Sequence, residues 1–296
     1  MDLVFQKIIN YCINSKNKFF YKCLFAIFKN FIKGPFILDF GDYKFYAYTN
    51  RKDLSRWMLK KLQPWDFGQV SKLKNIIQNA KCLFIDCGAN FGVYSVLIAS
   101  LCKNTDIVSF DASTKFIKRL KENINLNNLT NIEAHNVGIS SKNSEEYFNE
   151  SDSNFKNLGS YRFEKSPDSK LIKIISLDSF LENKNLGKYE KIIIKLDIEG
   201  YEYHALLGMT NLIKKYKPII MLEISRMLLS SKNFSQDIFS KYINEYDLKI
   251  LDQDGTTSSV CSLFDKINQL EPNRSTIGDY FLVNKDQVLK FNDQKN

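Results

Sequence analysis

Asp86, Gly88, Asn90 and Gly92 stand at alternate positions within Phe84-Ile-Asp-Cys-Gly-Ala-Asn-Phe-Gly-Val-Tyr-Ser95. The apolar run Cys82 to Ile85 before them reads as a buried strand that ends on a carboxylate. Val93 to Ala99 after them has no breaker and reads as a helix. Strand, glycine turn and helix start together form a ligand cradle. Glycines let backbone N–H groups approach the ligand, and the helix end favours negative charge there. The dinucleotide fingerprint G-x-G-x-x-G is not met, because the order here is Asp86-x-Gly88-x-Asn90-x-Gly92. An acid just before the first glycine suits an ammonium group and repels a pyrophosphate. S-adenosylmethionine joins an ammonium and a carboxylate to an adenosine, so it is the ligand this pattern suggests. A glycine pair alone fits an ordinary strand-to-helix turn. Asp111 adds weight because it ends the next expected strand, Ile107 to Phe110, about twenty residues on, where a Rossmann-like sheet places the acid that accepts ribose hydroxyls. Such charge-assisted bonds contribute about 1.5–3 kcal/mol each.

More acids gather further along. Lys191 to Leu196 and Ile219 to Glu223 read as apolar strands, and Asp197 and Glu223 mark their ends. Ligands of parallel sheets sit beyond the carboxyl ends of the strands. Asp86, Asp111, Asp197 and Glu223 are therefore expected around one crevice. Glu199 and Glu202 follow Asp197 at a helix start, where a negative charge gains about 0.3–1 kcal/mol. That capping role is preferred for Glu202, and a functional role for Asp197. Ile132 to Asn136 reads as a third strand, which makes Asn136, Val137 and Gly138 the candidate rim of an adenine pocket. His135, within that strand, reads as a core or surface histidine.

The elements that must position these residues alternate between strand and helix, which predicts an α/β fold. We expect a Rossmann-like, mainly parallel seven-stranded sheet with helices on both faces. Residues 80–296 form the cofactor-binding domain, and residues 1–79 an N-terminal helical and β-hairpin extension. In that extension, residues 2–33 read as two aromatic, basic helices broken near Asn14 to Lys18. Gly41-Asp42 reads as the turn of a hairpin, Asp53 to Leu62 as a helix, Pro64 to Gly68 as a loop and Ser71 to Asn79 as a helix. Trp57, Trp65 and Phe67 could line a pocket or simply pack, and packing is preferred. Residues 140–176 change character and read as short β segments and loops covering the ligand, a substrate lid. Tyr201 to about Tyr216 reads as one helix.

Bulk composition narrows the function classes. An apolar content of 44% over 296 residues suffices for a sizeable core. Six cysteines without a C-x-x-C pair, and only two histidines, argue against a zinc site and for reduced core thiols in the cytoplasm. No apolar run reaches membrane-spanning length, and Lys7, Asn10, Asn14 and Lys16 interrupt any signal-peptide core. The net charge of +9 is spread through the chain without a dense basic run carrying base-stacking aromatics, so no nucleic-acid partner is expected. For residues 2–33, packing or a dimer face is preferred over weak contact with an anionic membrane, because globular amphipathic helices are commoner.

Phe84 to Gly92 resembles the opening motif of the FkbM-type methyltransferases. Ile194-Lys-Leu-Asp-Ile-Glu-Gly-Tyr-Glu202, with Leu207-Gly208, is similar to that family's second signature. Ser176 to Phe180 and Pro218 to Glu223 match its flanking blocks, so the similarity runs over residues 80 to 284. Phe110-Asp-Ala112 departs from the family's more usual Phe-Glu-Pro. The resemblance implies a class I S-adenosylmethionine-dependent enzyme, usually methylating an oxygen, in the tailoring of surface polysaccharides or natural products. Carried over by position, Asp86, Gly88, Ala89, Asn90 and Gly92 would hold the methionine part and Asp111 the ribose. A small-molecule or glycan hydroxyl would be the acceptor. Removing the hydroxyl proton needs a base, and a positioned one contributes about 10²–10⁴-fold. Asp197 is the first candidate, Glu199 the second and His204 the third. Lys195 could pair with one of these acids or hold the substrate. Asp197 and Glu223 could take Mg²⁺, but the spacing demands no metal and none is assigned.

Three rivals remain. A nicotinamide dehydrogenase lacks its glycine triplet. A nucleic-acid methyltransferase acting on base amines would show Asn/Asp-Pro-Pro-aromatic where Asp197-Ile-Glu-Gly200 stands. A non-catalytic, membrane-associated protein of the same fold would bind no cofactor.

Overall fold

The protein is described from a computed structural model. It covers residues 2–288 except 16–17, 29–30, 32–33, 50–52, 54, 150–161, 164–166, 168, 231–233 and 272–273. The chain opens with helices α1 (Asp2–Asn14) and α2 (Lys18–Phe28), the hairpin β1 (Phe36–Asp39) and β2 (Lys44–Ala47), then α3 (Ser55–Lys61) and α4 (Phe67–Ile77). Next come β3 (Cys82–Cys87), α5 (Val93–Leu101), β4 (Thr105–Phe110), α6 (Thr114–Leu126) and β5 (Ile132–His135). Four short strands follow: β6 (Gly138–Ile139), β7 (Ser144–Asn149), β8 (Arg162–Phe163) and β9 (Lys170–Ile175). After α7 (Leu177–Leu181) the pattern resumes with β10 (Lys191–Leu196), α8 (Glu202–Leu207), α9 (Thr210–Tyr216), β11 (Ile219–Ser225) and α10 (Arg226–Leu229). The chain closes with α11 (Gln236–Glu245), β12 (Leu248–Leu251), β13 (Thr257–Ser258), α12 (Val260–Asn268) and β14 (Thr276–Asn284).

The main sheet has the order β13-β12-β14-β11-β10-β3-β4-β5. Strands β11, β10, β3, β4 and β5 run parallel, and β14 runs antiparallel to both β11 and β12. Seven strands were expected; the eighth, β13, is a two-residue edge. All six residues of β3 are buried, as a strand covered by helices on both faces requires. Strand order reverses between β3 and β10. The crevice above that reversal is where a doubly wound sheet takes its ligand.

The N-terminal elements share one apolar core with the sheet. Phe5, Ile9, Phe36, Phe45 and Met58 belong to the same buried cluster as Phe84, Phe91 and Leu120. The hairpin does not join the main sheet, yet its β2 edge is satisfied. Asn127 exchanges two hydrogen bonds with the Lys44 backbone at 2.6 and 2.7 Å, and Asn123 Oδ1 accepts from Tyr46 N–H at 3.0 Å. Side-chain amides of α6 thus stand in for a missing neighbour strand. Arg119 Nη1 pairs with Asp53 Oδ2 at 2.6 Å, and its guanidinium lies over the rings of Tyr48 and Phe91.

Several boundaries differ from the sequence expectation. Helix α4 begins at Phe67, inside the expected loop Pro64 to Gly68. The expected helix from Tyr201 to Tyr216 is two helices, α8 and α9, broken at Gly208. A Cβ on Gly208 would lie 2.1 Å from the Ser140 carbonyl oxygen, so the chain turns where β6 passes close by. The Asp178 carboxylate then caps the second helix, accepting from the N–H groups of Asn211 and Leu212, both at 2.9 Å. Helix α12 escaped the sequence reading altogether. In the 140–176 insert, β7, β8 and β9 join β6, just before it, in a small second sheet of order β6-β9-β7-β8, and Phe148 of β7 faces the ligand crevice. Much of the expected lid, residues 150–161, lies outside the described residues. Gly208→Ala should cost about 1–3 kcal/mol through overpacking. Urea unfolding would measure this, and an unchanged midpoint would show that the Ser140 contact relaxes freely.

Candidate active site

A cavity of about 490 Å³ opens above the strand reversal. Gly88, Ala89, Asn90, Asp111, Val137, Asp197, Glu199 and Glu223 line it. Gly88 has φ +79°, and a Cβ there would lie 1.8 Å from the Asp197 carbonyl oxygen. Only glycine lets the loop after β3 lie this close to the loop after β10. The turn is anchored on the end of β4, where the Phe110 carbonyl accepts from the N–H groups of Gly88 and Ala89 at 2.9 and 3.0 Å.

Asp111 sits at the cavity wall with both carboxylate oxygens held. Oδ2 accepts from Asn90 N–H and Oδ1 from Ser113 N–H, each at 2.8 Å. Burial raises this carboxyl to about 7, against the pull of those two N–H groups. Phe110, Phe116, Val137 and Ile139 form an apolar slot beside it.

Asp86, Gly92, Asn136 and His204 do not line the cavity. Asp86 is 0% exposed and lies beneath the glycine turn. Its Oδ2 accepts from Ser95 Oγ at 2.5 Å, and Lys195 Nζ stands 3.6 Å from its Oδ1. Gly92 packs on α6, where a Cβ would meet Leu120 Cδ1 at 2.3 Å. The Asn136 amide donates to the Asp111 and Ala112 carbonyls at 3.0 and 2.9 Å, so it braces the ribose-side loop from outside. His204 is on α8 against the Tyr201 ring, and burial lowers its pKa.

Lys195 joins the two halves of the site. It lies opposite Asp86 in the β10–β3 register, and its side chain is 3% exposed. Its Nζ contacts Asp197 Oδ2 at 3.1 Å and the Gly88 carbonyl at 3.3 Å, and lies 4.9 Å from the Tyr94 ring centre. Burial works to deprotonate it, but the charges of Asp197 and Asp86 prevail and hold its pKa above the ordinary lysine value. Glu202 is fully buried and bends back, accepting from Ile198 N–H at 2.9 Å and Gly200 N–H at 3.0 Å. It shapes the loop that carries Asp197 and Glu199, and burial raises its carboxyl to about 7.

Sequence reasoning missed most of the far wall, Asp66, Gln69, Gln253 and Asp279; Trp65, for which packing was preferred over a pocket, lines it as well. Asp279 is the register partner of Glu223. Strand-end reasoning looks at the carboxyl ends of parallel strands, whereas antiparallel β14 brings its amino-terminal half to the same edge. Gln69 Nε2 donates to Asp279 Oδ2 at 3.0 Å, and Tyr94 Oη donates to Asp66 Oδ2 at 3.4 Å. Burial and the Asp197 charge raise Asp279 to about 7. Burial first, then Asp197, Glu199, Glu202 and Asp279, push Glu223 well above the carboxylate range. Among the described residues, no three histidine, cysteine or carboxylate side chains converge in a metal-holding group.

A glycine cradle at a strand-order reversal, with a clamped acid ending the next strand, defines the class of S-adenosylmethionine-dependent methyltransferases of Rossmann-like fold. The comparisons refine this. Residues 86–259 match the family model described as the methyltransferase FkbM domain. The chain belongs to the FkbM methyltransferase family. A search of curated proteins found no match. Among solved structures, methyltransferase FkbM from Methylobacillus flagellatus KT is 17% identical with a TM-score of 0.43, over 69% of this chain and 44% of that one. The chain thus spans less than half of that protein's length. TYW2 from M. jannaschii in complex with AdoMet is 11% identical with a TM-score of 0.40, covering 86% and 88% of the two chains. Magnesium protoporphyrin IX methyltransferase from Synechocystis PCC 6803 with bound SAM is 12% identical with a TM-score of 0.40, covering 74% and 77%.

The residues present fit the cofactor. The Asp111 carboxylate has acceptor capacity left for two vicinal hydroxyls after its two backbone bonds. The Phe110–Ile139 slot suits a purine. Lys195→Met should cost about 3–5 kcal/mol, because Asp86 would be left buried and unpaired. Adding Asp86→Asn should recover much of that loss in chemical denaturation. Additive effects in the double variant would refute the coupling.

Proposed function

We propose that the protein methylates a hydroxyl oxygen, in line, on a sugar of a surface glycan or glycolipid precursor. The observation that carries this reading is the cavity wall across β10, β11 and β14. There Asp197, Glu199, Glu223, Asp279 and Asp66 face a space that Lys195 alone among its described lining residues supplies with a positive charge. Such a wall repels phosphate and carboxylate groups. Burial raises the pKa of Glu223 and Asp279, which favours their protonated, hydrogen-donating forms, and the remaining carboxylate oxygens of the wall can accept. Hydroxyl groups do both, so a neutral polyhydroxyl unit is matched to this lining. Trp65, 38% exposed at the cavity, offers a flat apolar face to a sugar ring.

When bound, the cofactor supplies an electrophilic methyl on a sulfonium. The protein aligns the acceptor oxygen behind that methyl, which is proximity catalysis. Asp197 would accept the proton of the acceptor hydroxyl, freeing its oxygen for the methyl that the bound cofactor would supply. Lys195 orients one Asp197 oxygen through the 3.1 Å contact. Glu199 lines the same wall and is the alternative base; His204 lies off the cavity. The same reading puts the protein in the cytoplasm, supported by six free cysteines, four of them buried.

Asp111 must be ionised to accept two hydroxyls, and its raised pKa of about 7 sets where this fails. Cofactor affinity should therefore weaken as pH falls below about 7, by up to roughly tenfold per unit for one proton. Calorimetric titration would show this slope in the wild type and its loss, with weaker binding throughout, in Asp111→Asn. A pH-independent wild-type affinity would remove Asp111 from the ribose role. Asp197→Asn should leave cofactor affinity nearly unchanged and lower kcat by about 10²–10⁴-fold. Transfer of labelled methyl to neutral glycosides, with mass spectrometry locating an ether, is the direct assay. Labelling confined to amines or to nucleic acid would sink the O-methylation reading.

A further inference from the structure

Seven of the thirteen exposed large hydrophobic side chains among the described residues lie between positions 3 and 31. Leu3 is 82% exposed, Phe19 80%, and Val4, Tyr11, Ile27 and Phe31 each more than 60%. Helices α1 and α2 are not short of packing. Phe5, Ile9 and Cys12 on α1, with Tyr21 and Phe25 on α2, are buried, and the Phe5 ring packs edge-on against Phe36 of the hairpin. Each helix therefore carries two apolar faces. On α1, Val4, Lys7 and Tyr11 follow one another along the outer stripe; on α2, Phe19, Cys23 and Ile27 do the same. An apolar patch this concentrated, on a protein whose other exposed hydrophobics are scattered, marks an interaction surface.

Charge selects the partner. Residues 1–33 contain six lysines and one acid, so they carry +5 of the chain's net +9. Lys7 and Lys22 stand exposed on the two helices, and a second copy would set this positively charged segment against its own like, which disfavours self-association. An anionic lipid surface matches it. Helices of 13 and 11 residues are too short to cross a bilayer, and no helix of the described residues is long and apolar enough to do so. An amphipathic helix with lysines beside aromatic and aliphatic side chains instead lies in the interface plane. We propose that the outer face of α1 and α2 docks the protein on an anionic phospholipid membrane. The packing preferred from sequence does occur, but on the inner face only.

None of these residues lines the cavity, so cofactor titration serves as an independent check on folding. The full-length chain would be sedimented with vesicles of phosphatidylcholine alone and of phosphatidylcholine mixed with phosphatidylglycerol. Binding should appear with the anionic vesicles, fall as salt rises, and drop by about tenfold in both Leu3→Ser/Phe19→Ser and Lys7→Glu/Lys22→Glu, with cofactor affinity unchanged. If the serine pair also loses cofactor binding, the lysine pair and the salt series decide the matter. Absence of vesicle binding, or equal binding to neutral vesicles, overturns the proposal. So does a wild-type dimer mass in light scattering that Leu3→Ser/Phe19→Ser returns to monomer, since the face would then be covered by a second copy.

Discussion

A buried ammonium held between two carboxylates organises this molecule. Lys195 is almost wholly buried at the base of the cavity, so its charge depends on Asp86 and Asp197. Asp86 is deeper still and equally dependent on Lys195. Because Lys195 belongs to β10 and Asp86 to β3, the pair fixes the register across the strand-order reversal, where the ligand crevice opens. The same Nζ touches the Gly88 carbonyl, so the cofactor turn and the loop bearing the proposed base are held by one side chain.

Close backbone approach completes that arrangement. Gly88 lies so near the Asp197 carbonyl that no side chain fits, and the two loops form a single wall. Around them, buried acceptors shape the backbone. Asp111 is clamped by two N–H groups, and Glu202 holds the loop from Ile198 to Gly200, where Glu199 takes a left-handed φ of 55°. Strain of this kind persists only where surrounding bonds over-determine it.

The opposite wall is a concentration of like charge. Glu223 and Asp279 face one another across β11 and β14, a pairing that costs stability when both are ionised. Burial first, and then the charge of Asp197, raises the pKa of both. The N-terminal extension contributes to this wall directly through Trp65, Asp66 and Gln69, which lie outside the span matched by the family model.

Sequence alone determined whatever depends on local order. Uninterrupted apolar runs mark β3, β10 and β11 because both faces of a central strand are buried, and a strand's last residue is its carboxyl end. Asp111, Asp197 and Glu223 were therefore legible as crevice residues, and they line the cavity. The glycine spacing was legible too, since few other residues allow that turn. Only the tertiary structure decided the side-chain directions. Asp86, one residue further inside its strand than a rim position, points beneath the turn to Lys195 instead of into the cavity. The amide of Asn136 is used up on neighbouring carbonyls, and His204 lies on a helix face turned away. Asp66, Gln69 and Asp279 reach the site through a loop, the first turn of α4 and an antiparallel strand, for which no one-dimensional rule gives a crevice end. The break at Gly208 likewise reflects a carbonyl from a distant strand, and a contact between segments remote in sequence leaves no local pattern.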